Sequence, residues 1–108
     1  MLSRTVTNAM GFPSASVEDA LAQCFAALGD PTRVKLVREL HTRGEAPVRE
    51  LALAVGAPVP NVSKHLQVLH HAGLVARRRH GTYVYYRLRD EDVAALVDTA
   101  FGLMADGV

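Results

Sequence analysis

The chain has 108 residues, 49% of them apolar, with 12 Lys/Arg against 11 Asp/Glu. That length fits one domain with a small core. The single cysteine, Cys24, rules out an internal disulfide and a cysteine-rich zinc site. No apolar run reaches the length of a membrane span or follows the basic start of a secretory signal, so a cytoplasmic protein with no membrane partner is expected. The net charge of +1 conceals a segregation: residues 51–89 carry six bases and no acid, and residues 90–108 carry five acids and no base.

Residues 1–15 show no periodicity and contain Gly11 and Pro13, which predicts a flexible arm ahead of a domain at 16–106. Ser16 precedes Val17, Glu18 and Asp19, an N-cap with acids in the first turn. Leu21, Cys24, Phe25 and Leu28 then recur at helical spacing up to Gly29. Asp30-Pro31 starts a second helix, with a capping side chain followed by proline at the first helical position. Leu36, Val37 and Leu40 form its apolar side, and Gly44 closes it. Val48, Leu51, Ala52 and Val55 define a short third helix, and Gly56 supplies the turn after it.

A fourth helix is expected from Val59 to Gly73, with Val59, Val62, Leu66 and Leu69 on its apolar stripe. Leu74–Arg79 and Tyr83–Leu88 read as strands joined by His80-Gly81-Thr82. Asp90 caps a last helix whose stripe is Val93, Leu96, Val97, Ala100, Phe101 and Met104. This order gives a mainly α fold of about five helices with one β-hairpin. A short helix, a glycine turn, a second helix and a hairpin make a winged helix-turn-helix.

The fourth helix turns Asn61, Lys64, Gln67 and His71 away from its apolar stripe, with His65 at the flank, and Ser63 joins them as a candidate DNA contact. Short polar side chains of these types read base edges and phosphates in a major groove. Arg77, Arg78, Arg79 and His80 sit on the hairpin, where they suit a minor groove or flanking phosphates. Double-stranded DNA is therefore the expected partner. No nucleophile–base pair or Cys-x-x-Cys organises an enzyme site.

The segments Phe25–Leu40 (FAALGDPTRVKLVREL), Arg49–Val75 (RELALAVGAPVPNVSKHLQVLHHAGLV) and Arg77–Leu88 (RRRHGTYVYYRL) resemble the ArsR-type family of bacterial winged-helix regulators. The resemblance implies a homodimer built by the first and last helices, an operator with dyad symmetry, repression as the default and an effector that changes DNA affinity. Leu21, Phe25 and Leu28 with Val97, Phe101 and Met104 are the expected dimer interface, since these stripes hold more apolar surface than one small core hides. The two recognition helices of such a dimer lie about 34 Å apart, one turn of DNA. An activator of the same fold, and a winged-helix interaction module that does not bind DNA, stay open at this stage.

The effector is open between a divalent metal, an oxidant, a small molecule and a partner protein. Some family members bind metal through a Cys-x-Cys pair at the start of the third helix, where this chain has Pro47 and Arg49. Others use the last helix, where the matching positions are Asp90, Asp92 and Asp106, with Leu103 in place of a histidine. Three carboxylates without imidazole are a poor donor set for zinc or nickel, and Asp90 and Asp92 also suit a helix start. No cofactor is called for. Cys24 lies on an apolar stripe and can form only an intersubunit disulfide or a sulfenate.

Overall fold

The computed structural model describes residues 16–107 and the backbone of Val6–Thr7 and Pro13–Ser14, with side chains described over 16–105. Val6–Thr7 (β1) and Pro13–Ser14 (β2) pair antiparallel, Val6 opposite Ser14. The rest of the arm, and with it the expectation of flexibility, lies outside the described residues.

Helix α1 spans Val17–Ala27, and the Ser16 hydroxyl accepts the Asp19 N–H at 3.1 Å. Helix α2 spans Pro31–Arg43, and Asp30 Oδ2 accepts the Arg33 N–H at 3.1 Å. Both starts follow from side chains that satisfy first-turn N–H groups, which no residue of the helix itself can reach. A three-residue strand, β3 (Glu45–Pro47), leads into α3 (Val48–Val55). Gly56 ends α3 at φ 69°, a left-handed conformation that favours glycine, and the chain turns into α4 (Val59–His71). Strands β4 (Val75–His80) and β5 (Tyr83–Leu88) form the hairpin. Its two-residue loop has Gly81 first, at φ 64°, where a II′-type hairpin places glycine. Helix α5 spans Glu91–Gly107, and Asp90 Oδ1 accepts the Val93 N–H at 3.1 Å.

Strand β3 was not expected. It is an edge strand, in the order β3-β5-β4, with Pro47 opposite Tyr85 and Ala46 opposite the buried Tyr86. An edge tolerates proline because one side of the strand has no ladder to supply.

Leu36, Leu40, Leu51, Leu66, Leu69, Val37 and Val62 are fully buried and centre the core on α2, α3 and α4. The hairpin base adds Leu74, Val75 and Tyr86, and α5 adds Val93 and Val97. Val59 departs from its expected stripe: as the first residue of α4 it is 44% exposed, and burial on this helix begins at Val62.

The N-caps give a pH prediction. Accepting the Arg33 N–H holds the Asp30 carboxyl below its ordinary value, and accepting the Val93 N–H does the same for Asp90, helped by Arg89. Glu45 is lowered by its hydrogen bonds to Arg78. With folded values depressed, the unfolded chain binds more protons, so this stabilisation is complete above about pH 4–5 and lost as pH falls through the folded values. Thermal unfolding followed from pH 6 downward should show Tm falling below about pH 4. The combined Asp30→Asn, Glu45→Gln, Asp90→Asn variant should fall less steeply, and an equal slope in both proteins would contradict the assignment.

Candidate nucleic-acid interface

Helices α3 and α4 pack as a helix-turn-helix through Leu51, Ala52, Val62 and Leu66, all buried. That packing decides which side of α4 faces out. Pro60, Asn61, Lys64, Gln67, Val68 and His71 are exposed, and Ser63 is half-buried. With 3.6 residues per turn, Asn61, Lys64 and Gln67 fall on neighbouring rows of one face over two turns. This is a surface of amide and ammonium groups with no carboxylate on the helix.

His65 is placed differently. Its Nδ1 lies 3.3 Å from Arg33 Nη1 and 3.9 Å from Asp30 Oδ2, so the ring is turned toward the α1–α2 junction. His71 is exposed at the end of α4, beside the half-buried His70, whose burial lowers its pKa, with Arg77 and His71 adding to the effect. His70 is thus held toward its uncharged form.

The strand register splits the three arginines of the wing. Along β4, Arg77 and Arg79 share a face with Val75, which is buried against the helices. Arg78 and His80 share the other face. There Arg78 makes a two-pronged ion pair with Glu45 of β3, Nε to Oε2 at 2.9 Å and Nη2 to Oε1 at 2.6 Å. Its guanidinium also lies 5.0 Å from the Tyr85 ring centre, and the His80 ring stands edge-on to Tyr85. Among the described residues, Lys64, Arg77 and Arg79 form no ion pair. The acid-free stretch of sequence therefore contains two arginines paired with acids outside it, Arg78 with Glu45 and Arg89 with the adjacent Asp90. Sequence reasoning missed Glu45, since the pairing needs the β3–β5–β4 register.

The expected dimer residues fall into two sets. Leu21, Phe25 and Met104 are about half exposed or more, at 48%, 54% and 59%. Leu28 and Phe101 are half-buried against the core, and Val97 is buried in the protomer's own core, so it has little surface left for a partner. Leu96 and Leu103 join the exposed set. Phe25, Val34, Leu96, Ala100 and Met104 line an apolar groove of about 350 Å³ between α1, α2 and α5.

The remaining candidates concern sensing. Asp90 is engaged twice, as the α5 cap and in an ion pair with Arg89 at 2.9 Å. Asp92 is exposed in the first turn, and the side chain of Asp106 lies outside the described residues. No group of three His, Cys, Asp or Glu suited to a metal ion occurs among the described residues. Burial pushes the Cys24 thiol up, away from the reactive thiolate, with Arg89 opposing weakly.

The fold and this face define a winged helix-turn-helix DNA-binding domain, and a family model described as a helix-turn-helix domain matches residues 28–78. The chain is 47% identical over 77 residues to the transcriptional regulator KmtR of Mycobacterium tuberculosis, covering 71% of this chain and 58% of that protein. It is 40% identical over 81 residues to a homologue of the cadmium resistance regulatory protein CadC of Staphylococcus aureus, covering 75% of this chain and 67% of that protein. Among solved structures it resembles the homodimeric winged helix-turn-helix DNA-binding domain of a possible ArsR-family regulator from Mycobacterium bovis. That match has a TM-score of 0.77 and 37% identity, covering 83% of this chain and 82% of that one. The chain belongs to the ArsR/SmtB family of transcription regulators.

Proposed function

We propose that this chain is a homodimeric transcriptional repressor of the cytoplasm that occupies a dyad-symmetric operator. In this reading α4 enters the major groove, and Arg77 and Arg79 hold the adjacent backbone or minor groove. The observation that carries it is the acid-free face of α4, joined by two unpaired arginines on the helix-facing side of the wing. Asn61 and Gln67 suit adenine edges, Lys64 a guanine edge or phosphate, and Ser63 a phosphate. A second protomer covers the exposed apolar residues of α1 and α5, including Leu21, Phe25 and Met104.

Zinc or nickel held by Asp90, Asp92 and Asp106 does not fit these residues. Asp90 is committed to the α5 cap and Arg89, and carboxylates alone are hard donors. An effector that changes DNA affinity would then act elsewhere in the dimer.

Two sets of variants test the reading. Lys64→Ala and Gln67→Ala should each weaken binding to the preferred sequence by about 1–3 kcal/mol and mixed-sequence binding much less. Arg77→Ala and Arg79→Ala should weaken both and flatten the salt dependence by about one unit per lost phosphate contact. Arg78→Ala should leave the slope nearly unchanged, because Glu45 already neutralises that side chain. Equal flattening by all three arginine variants would place Arg78 on the DNA as well.

A further inference from the structure

We propose that Arg33 is a positioning residue for DNA reading, and that His65 is the group on α4 that receives it instead of a base contact. The proposal rests on α4 being the reading helix. Arg33 stands in the first turn of α2 and does three things at once. Its N–H goes to Asp30 Oδ2 at 3.1 Å, its Nε donates to the Ala27 carbonyl at 2.6 Å, and its Nη1 reaches His65 Nδ1 at 3.3 Å.

The first bond fixes the arginine's backbone within the cap. The second satisfies a carbonyl at the end of α1, where the helix itself offers no N–H and a cation is favoured. The third crosses to the second turn of α4, 32 residues along the chain. Arginine carries only donors, so Nδ1 of His65 accepts and the ring proton sits on Nε2.

The apolar contacts of Val62, Leu66 and Leu69 hold α4 against the core, but they are not directional. A planar guanidinium that is also anchored on the Ala27 carbonyl is directional. His65 follows Lys64 and lies one turn from Asn61, so holding His65 holds the rotation of α4 and with it the directions in which these two side chains leave the helix. Base contacts need their side chains held to about half an ångström, whereas contacts to a regular array of phosphates tolerate more.

The test compares binding to a sequence selected from random DNA by the parent protein with binding to mixed-sequence DNA at the same salt. Arg33→Met and His65→Leu should each weaken selected-sequence binding about tenfold, as loss of a hydrogen bond to a charged group does. Mixed-sequence binding should stay near that of the parent. The double variant should be no worse than the weaker single one, because both remove one interaction. His65→Asn, whose amide oxygen still accepts from Arg33, should restore most of the affinity. Should Arg33→Met fold poorly, the His65→Leu and His65→Asn pair carries the same comparison. Losses that multiply in the double variant would overturn the proposal. So would a His65→Asn protein as weak as His65→Leu, since that marks His65 as a direct reader. A parent protein that binds no DNA would overturn the α4 reading itself, a result distinct from either.

Discussion

Leu66→Ala is expected to remove about 2–5 kcal/mol of stability, the range for truncating a fully buried leucine. Leu66 has no exposed surface and lies midway along the inner stripe of α4, between Val62 and Leu69. The cost has two parts, the lost transfer of three carbons from water and the cavity left in a close-packed interior. Small domains hold a reserve of only about 5–15 kcal/mol, so this one change consumes a large share of it. The shift should be about 10 °C or more in Tm, measured by circular dichroism at fixed protomer concentration. Val68→Ala on the outer face of the same helix, 41% exposed, is the matched control and should move Tm little. Equal shifts for the two variants would contradict the assigned rotation of α4. DNA binding by Leu66→Ala should fall with the folded fraction, whereas Lys64→Ala should lose DNA without losing stability.

Phe25→Asp should separate the protomers and weaken operator binding by on the order of a hundredfold or more. Phe25 is 54% exposed and borders the apolar groove between α1, α2 and α5, so an aspartate there is solvated in the free protomer. In a dimer the same carboxylate is buried without a partner, which is strongly unfavourable. The protomer fold should therefore survive, with an unchanged far-ultraviolet spectrum and the mass of one chain by light scattering. The DNA effect is large because two linked half-sites make the second contact intramolecular, and a monomer loses that advantage. A Phe25→Asp protein that stays dimeric would move the interface away from the α1–α5 face.

The order of helices and the hairpin were legible because the chain punctuates itself. Asp30-Pro31, Gly56, Gly81 and Asp90 each mark a start or turn that the backbone needs at that place. Strand β3 was not legible, since three residues containing a proline carry no periodicity. The face of α4 could be read from its apolar spacing, and Asn61, Lys64 and Gln67 lie outward as that spacing demands. Arg78 and His65 could not be sorted in the same way. One is held by an acid 33 residues earlier and the other by an arginine 32 residues earlier, and such pairings follow from tertiary packing alone. The two apolar stripes were visible as stripes, but Val97 turns into the core while Phe25 and Met104 stay out. A helix hydrophobic on more than one row does not reveal which row the protomer keeps.

In the proposed complex Lys64, Arg77 and Arg79 meet phosphate or base edges from two protomers at once. This contact is tested most directly by the salt dependence of DNA binding by the full chain, from low to physiological ionic strength. Log affinity should fall linearly with log salt at a slope of roughly −4 to −6, as expected for these three bases engaged twice. Arg77→Ala and Arg79→Ala should each reduce that slope. Absence of binding at low salt, or a slope near zero that the arginine variants do not alter, would contradict it.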